Sequence, residues 1–284
     1  MTRKEFLRLL TFVLGGLAMP LPATSHPVHR APALFAGHGS PMNAIETNAF
    51  THSLRELGKS LEKPKAILVV SAHWTPPYFG VSVHQNSDLK YDFFGFPKAL
   101  EEVQYPAGNA AFLLPTLNKL FTPLQVKDRG LDHGAWSVLV HLFPDADIPV
   151  MQLGIHRGLS LREHFEVGKR LKALREQGVM IIGSGNITHN LQEARMPKEA
   201  PAVKWAVDFD DYVKKAIIER DFEALIDVEN RNRYTRLAHP TLEHYIPLLY
   251  VAGASFDDDE NRFVYEGMEH GSLSMRSWLL QSIL

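Results

Sequence analysis

The stretch AILVVSAHWTPP, residues 66–77, contains the signal that decides the fold. Its apolar residues, 66–70, form a run without polar alternation, which predicts a strand covered on both faces of a sheet. His73 and Trp74 follow where the run ends. A histidine at the end of a buried strand puts a titratable, metal-binding ring at the edge of a sheet. The question is which other residues lie at the same edge.

Five more apolar runs predict strands, at residues 31–37, 79–84, 148–155, 179–185 and 248–254. Helical patterns lie between them, at residues 46–61 and 160–178, and the second has Ser160 as its N-cap and Gly178 just beyond its end. This alternation predicts an α/β domain with a central, mostly parallel or mixed sheet flanked by helices. Ligands of such sheets bind at the C-terminal ends of the strands, which is where we expect the functional site.

Composition narrows the classes of function. The chain has 284 residues, 45% hydrophobic and 22% charged, with no linker or repeat that would divide it, so a single globular domain is expected. A net charge of −2 without a basic cluster excludes nucleic acid as an expected partner. The absence of cysteine excludes disulfides, thiolate ligands and cysteine nucleophiles, so any metal must be bound by His, Asp or Glu.

The first 25 residues have the pattern of an export signal. The basic MTRKEFLRLL precedes the apolar TFVLGGLAMPL, which is too short to span a bilayer, and small residues follow at Ala23 and Ser25. The segment TRKEFLRLL resembles a twin-arginine signal, with Lys4 where the second arginine is usual. We expect residues 1–25 to be removed and residues 26–284 to form a periplasmic or otherwise exported domain without a stable membrane anchor. The alternative is an N-terminal extension on a cytoplasmic protein.

Histidines follow or precede several of the predicted strands. His38 and His73 follow the first two runs and His189 follows the run at 179–185, whereas His244 comes just before the last run. His133 lies where a loop gives way to a helical pattern. A hydrogen-bonded structural role is the alternative for any one histidine. Flanking glycines at His38, and the aromatic and proline residues after His73, favour metal ligation for these two, whereas His189 and His244 rest on position alone.

Other common catalytic motifs are missing. The chain has no HExxH zinc motif, no GxxxxGK[ST] phosphate loop and no GxSxG nucleophile elbow. The serines that stand near these histidines are equally well explained as small turn residues. A histidine-based metal site at the sheet edge is therefore the favoured hypothesis.

Longer blocks of sequence carry a family resemblance. They occur in order between about residue 31 and residue 278: ALFAGHGSPMNAIE, AILVVSAHW, YDFFGFP, YPAGNA, GLDHGAWSVLVHLFPDADIPVMQLGI, SGNITHNL, FDDYV, HPTLEHYIPLLYVAGA and EGMEHGSLSMRSW. Together they resemble the 4,5-DOPA dioxygenase extradiol family, which belongs to the class III extradiol ring-cleavage dioxygenases and is related to the catalytic subunit of protocatechuate 4,5-dioxygenase. The resemblance covers nearly all of residues 26–284.

The resemblance implies a set of site residues. The family's metal ligands fall on His38, His73 and His244, and its active-site histidine falls on His189, which acts as the catalytic base or as an additional metal ligand. His133 matches a further catalytic histidine of the pocket. In the protocatechuate branch the third ligand is a glutamate, but neighbouring side chains point apart, so Glu243 and His244 cannot easily bind one ion. We therefore assign the third position to His244.

The resemblance also implies the chemistry. We expect one divalent metal ion per chain, Fe(II) in the active form or Zn(II) as an inactive occupant, with a small catechol such as DOPA and O2 as substrates and a muconate-semialdehyde-type product. Candidate walls for the substrate ring are Trp74, Tyr78, Phe93, Phe94 and Phe96. Two alternatives use the same residues: a zinc-dependent hydrolase, and a non-catalytic metal- or ligand-binding protein on the same fold.

Overall fold

The computed structural model describes residues 30–84 and 88–282, so the export signal predicted over residues 1–25 lies outside the described residues. The strands are β1 (Ala33–Gly37), β2 (Ala66–Ser71), β3 (Phe79–Ser82), β4 (Leu124–Lys127), β5 (Val150–Gln152), β6 (Val179–Gly185), β7 (Asp259–Tyr265), β8 (Met268–Glu269), β9 (Leu273–Ser274) and β10 (Ser277–Ser282). The α-helices are α1 (Ala49–Ser60), α2 (Leu114–Leu120), α3 (His133–Leu142), α4 (Leu161–Arg170), α5 (Lys172–Glu176), α6 (Lys204–Glu219), α7 (Phe222–Ile226), α8 (Val228–Arg231), α9 (Thr235–Ala238) and α10 (Ile246–Gly253). Short 3-10 helices span Pro41–Ala44, Lys98–Leu100, Ala111–Leu113 and Leu242–His244.

A mixed six-stranded sheet forms the centre of the domain, in the order β5-β2-β6-β1-β10-β7. The four strands β5, β2, β6 and β1 are parallel, and β10 and β7 extend the sheet in antiparallel pairing. Helices cover the sheet, which confirms the predicted α/β fold with a mixed sheet. None of the described helices is long and apolar enough to cross a membrane.

The central strands are buried on both faces, which explains their uninterrupted apolar sequences. In β2, Leu68 and Val70 contribute to one hydrophobic cluster, and Ile67 and Val69 contribute to a second cluster. Successive side chains of a strand point to opposite faces, so every position in β2 meets a packed layer. The apolar run at 66–70 is thus the sequence of a strand between two cores.

The predicted helices and most of the predicted strands are confirmed, with Asn48 and Ser160 forming capping boxes at the starts of α1 and α4. The prediction of a strand at 248–254 is wrong, because these residues lie in and just after α10, whose residues 247–253 are all buried. A helix buried on all sides has no polar face, so its apolar run cannot be distinguished from a buried strand by periodicity. The run at 79–84 contains β3, which pairs with β4 outside the central sheet.

The register of the central strands aligns their C-terminal ends. Gly37 of β1 lies opposite Gly185 of β6, and Ser71 of β2 lies opposite Ser184. The chain before α10 packs directly onto this edge, where the backbone N–H of Asn186 donates to the carbonyl of His244 at 2.9 Å. A Cβ at Gly185 would lie 2.1 Å from that carbonyl oxygen, so only glycine permits the approach. Residues distant in sequence therefore meet at one edge.

Candidate metal centre and active site

Three histidines meet at the aligned strand ends. His38 follows β1, His73 follows β2, and His244 ends the 3-10 helix that precedes α10. One ring nitrogen from each lies within 4.8 Å of the others, and the Nε2 atoms of His38 and His73 are 3.1 Å apart. Two imidazole nitrogens each about 2.1 Å from one ion, at right angles to each other, would be about 3.0 Å apart. The spacing therefore fits two ligands of one divalent metal ion.

Hydrogen bonds fix which nitrogen of His38 and of His244 faces the cluster. The Ser184 hydroxyl donates its single proton to the Gly134 carbonyl at 2.5 Å, so it accepts from Nδ1–H of His38 at 2.8 Å. His244 Nδ1 lies 3.3 Å from a Glu243 carboxylate oxygen, while its Nε2 is buried and has no partner among the described residues. Both rings thus keep Nε2 free as a lone-pair donor, which is the state that a metal ligand requires.

Burial keeps four of the imidazoles of the site neutral. It lowers the pKa of His73 to about 3 and the pKa of His189 to about 4. The pKa values of His38 and His244 are also held well below the ordinary imidazole value, first by burial and then by the neighbouring histidines. At neutral pH these rings therefore carry no proton that would compete with a metal ion.

His189 lies beside the three-histidine group. Its ring stacks on that of His244, with centroids 3.5 Å apart and planes inclined by 4°, and its backbone N–H donates to the carbonyl of Ala238 at 3.0 Å. The described residues contain two sets of mutually close ligand atoms, one from His38, His73 and His244 and one from His73, Asp92 and His133, and His189 belongs to neither. The structure thus gives His189 a fixed position next to the cluster.

His133, the first residue of α3, forms a pair with Asp92. One oxygen of Asp92 accepts from both the backbone N–H and Nδ1 of His133, at 3.1 and 2.9 Å, and the other lies 4.0 Å from Nδ1 of His73. Burial opposes ionisation of Asp92, but hydrogen bonding to His133 outweighs it and lowers the pKa of this carboxyl to about 2. The carboxylate therefore orients His133 with its proton on Nδ1. Sequence reasoning missed Asp92, although it lies within the YDFFGFP block.

A cavity of about 510 Å³ opens beside the histidines, and most of its wall is apolar. Its lining residues are His38, Gly39, Ser40, Pro41, His73, Phe93, Phe96, His133, His189, Leu191, Ala194, Arg195, Met196, His244, His270 and Leu273. The structure thus brings all five histidines singled out from the sequence to one cavity. A larger cavity, of about 650 Å³, is lined by Arg157, Glu229 and other residues but by no histidine.

Only two of the five predicted aromatic wall residues line this cavity. Phe93 and Phe96 do, and Phe93 also makes an edge contact with His133 at 5.8 Å between ring centroids. Trp74 and Tyr78 lie elsewhere, under the side chains of Arg129 and Lys127. Phe94 is 93% exposed. The expectation is wrong for these three. Trp74 and Phe94 are sequence neighbours of cavity residues, and neighbouring side chains point in different directions, whereas Tyr78 lies farther along the chain and contacts Lys127 instead.

Comparison with known proteins agrees with this geometry. Residues 25–275 match the family model described as the catalytic LigB subunit of aromatic ring-opening dioxygenase. A protein of Escherichia coli K12 named 4,5-DOPA dioxygenase extradiol is 42% identical over 255 residues, which cover 87% of this chain and 94% of that protein. A protein of Beta vulgaris with the same name is 35% identical over 258 residues, covering 87% and 96% of the two chains.

A solved structure extends the similarity to the backbone. The crystal structure of an uncharacterized protein from Escherichia coli K12 matches with a TM-score of 0.77 and 39% sequence identity. The match covers 88% of this chain and 99% of that one. Most of this chain and nearly all of that protein thus share one backbone fold.

Proposed function

The chain belongs to the family of catalytic LigB subunits of aromatic ring-opening dioxygenases, as the sequence resemblance predicts, and within it we propose that the protein opens the ring of a catechol such as DOPA. Membership makes it a metal-dependent extradiol dioxygenase, an oxidoreductase that uses an aromatic substrate and O2, rather than a hydrolase. The proposed product retains both atoms of O2 and is a muconate semialdehyde.

The observation that carries this proposal is the convergence of His38, His73 and His244 beside an apolar cavity of a size suited to an aromatic ring. We propose these three histidines as the ligands of the metal ion and Fe(II) as the working metal. Bound Fe(II) supplies the redox chemistry that lets O2 react with a closed-shell ring, together with Lewis acidity that favours a catecholate. Three neutral imidazoles add no negative charge, so the site attracts an anionic substrate.

His189 is proposed as the general base rather than as a fourth ligand. It is a neutral imidazole beside the cluster, and its stacking on His244 fixes the ring while its backbone is anchored to Ala238. A neutral imidazole can accept the proton of a catechol hydroxyl.

His133 is proposed to hold a proton at Nε2 during the reaction. Asp92 accepts from Nδ1, so a proton taken up at Nε2 gives an imidazolium whose charge the carboxylate balances. Such a ring donates a hydrogen bond into the cavity. Phe93 and Phe96 are proposed to pack on the substrate ring and exclude water.

Zinc is proposed as an inactive occupant of the same site. A histidine set of this kind binds Zn(II) well, but Zn(II) has no redox chemistry. A zinc-loaded protein would therefore bind a catechol without consuming O2. We also retain, from the sequence alone, the proposal that residues 1–25 direct export of the protein.

The test is O2 consumption by protein that has been stripped of metal and reloaded anaerobically with Fe(II) or Zn(II). We expect uptake with DOPA or another catechol, with a yellow ring-opened product, in the iron form alone. His189→Ala should retain iron and lose most turnover, whereas His52→Ala, which removes an exposed histidine of α1, should behave as wild type. No uptake with any catechol at full iron occupancy contradicts the function, and loss of iron in His189→Ala contradicts its role as a base.

A further inference from the structure

The segment 190–203 forms one wall of the cavity and is held in place by the turn between β8 and β9. The backbone N–H of Arg195 donates to the carbonyl of His270 at 2.8 Å, and the ring of His270 returns a bond from Nδ1 to the carbonyl of Arg195 at 3.0 Å. The N–H of Val203 donates to the carbonyl of Gly271 at 2.8 Å. The backbone at Arg195 is thus fixed relative to the cavity.

A second set of contacts ties the same wall to the chain beyond β1. The ammonium group of Lys198 lies 2.5 Å from a carboxylate oxygen of Glu46 and 3.1 Å from one of Glu269, and it donates to the amide oxygen of Asn43 at 3.0 Å. These bonds hold the wall against the loop that follows His38. In these contacts the carboxylates of Glu46 and Glu269 balance the positive charge of Lys198.

The positive charge of Arg195 is not balanced in this way. Its guanidinium makes no hydrogen bond or ion pair with any residue in the described ranges 30–84 and 88–282, although the residue lines the cavity. No Asp or Glu occurs among the described lining residues, and the nearby Asp92 and Glu243 bond to His133 and His244. Arg195 is an exposed residue, and its permanent positive charge borders an otherwise largely apolar cavity without a counter-charge among the described residues.

We infer that Arg195 binds an anionic group on the side chain of the substrate, so that the preferred catechols carry a carboxylate. This inference rests on the proposed function, because it takes the catechol ring to lie between the histidine cluster and Phe93. The guanidinium presents paired N–H donors that match the two oxygens of a carboxylate, and the fixed backbone reduces the cost of ordering the side chain. Arg195 is thus a specificity residue in the wall of the cavity that the metal ligands also line.

The test compares 3-(3,4-dihydroxyphenyl)propionate with its methyl ester, which has the same ring and spacer but no charge. Wild type, Arg195→Gln and Arg195→Lys are loaded with Fe(II), and KM and kcat are measured by O2 uptake. Arg262→Gln, in the edge strand β7, is the control for removing one positive charge elsewhere. Arg195→Gln should raise KM for the acid about tenfold or more and leave KM for the ester unchanged, and Arg195→Lys should restore part of the preference.

Binding to the zinc-loaded proteins, measured by titration calorimetry, separates the inference from the proposed function. If iron-loaded wild type consumes no O2 with either compound, the proposed function fails, but weaker binding of the acid alone to Arg195→Gln still supports the charge contact. Equal effects of Arg195→Gln on acid and ester, or no effect on either, overturn the inference. A wild type that binds neither compound overturns it as well.

Discussion

Replacement of Gly134 by alanine should weaken the metal site without unfolding the domain. Gly134 is the second residue of α3, and a Cβ built there would lie 2.5 Å from Oγ of Ser71 and 2.9 Å from Cδ2 of His73. Contacts this short do not occur between real atoms, so something must move. The helix backbone is held by the Asp132 N-cap, so the movement falls on the serine and on the proposed ligand His73.

The expected effects differ for stability and for metal binding. Overpacking of this kind costs about 1–3 kcal/mol, and the higher helix propensity of alanine offsets about 0.5–1 kcal/mol of it. The net loss of unfolding free energy is then about 0–2.5 kcal/mol, which a domain of this size tolerates. Displacement of His73 should lower metal affinity by about 10- to 100-fold, as loss of an orienting neighbour does at other metal sites.

The assay is competition for Zn(II) with a chromogenic chelator, accompanied by urea unfolding of the metal-free protein. Gly108→Ala is the matched control, because a Cβ there meets no atom within 4 Å. We expect the control to bind metal as wild type does and Gly134→Ala to bind it more weakly. Equal affinities of the two variants would refute the assignment of His73 to the metal site.

Three further predictions concern charge. Asp92→Asn should lower kcat about 10- to 100-fold with iron content unchanged, because His133 loses its orienting carboxylate. A variant whose kcat equals that of wild type would refute this role of Asp92. Arg175 and Asp259 form a completely buried ion pair with two hydrogen bonds, at 2.6 and 2.9 Å. Arg175→Met should therefore cost about 3–5 kcal/mol of unfolding free energy in urea, and the double variant Arg175→Met/Asp259→Leu should recover much of this loss. An unchanged urea midpoint in the single variant contradicts the pairing. Burial lowers the pKa of His164 to about 4 in the folded protein. As the pH falls, the unfolded chain therefore protonates this histidine before the folded protein does. The stabilisation is fully present above about pH 6.5 and is lost as the pH falls towards 4. Urea unfolding of His164→Gln should therefore lose about 2 kcal/mol less than wild type between pH 7 and pH 5, and identical pH dependences would show that this histidine is not buried in its neutral form.

Much of the fold and part of the site could be predicted because their signals are local. The strands that carry His38 and His73 are buried on both faces, so their sequences are unbroken apolar runs. Parallel strands present their C-terminal ends at one edge, so the residues that follow them were expected to meet there. The position of His244 followed from family resemblance, because no local pattern shows that the chain packs onto Gly185.

The remaining features depend on tertiary contacts that leave no periodic trace. Asp92 lies in a loop, and its function comes from a bond to a histidine 41 residues later. The sequence of helix α10 resembles that of a buried strand, because every side of the helix is buried and no polar face interrupts the apolar run. Trp74 was expected in the cavity because it follows His73, but its ring packs on Arg129. In each case the partner, rather than the residue itself, decides the role.

The meeting of distant segments at one sheet edge also bears on how the chain resists proteases. His38 and His244 are separated by more than two hundred residues, and His73 belongs to a third segment. An ion bound by all three would close two long loops at once, and so would act as a reversible cross-link between the first strand and the last third of the domain. Because such an ion binds only the assembled form, it would suppress the partial openings through which proteases reach the backbone.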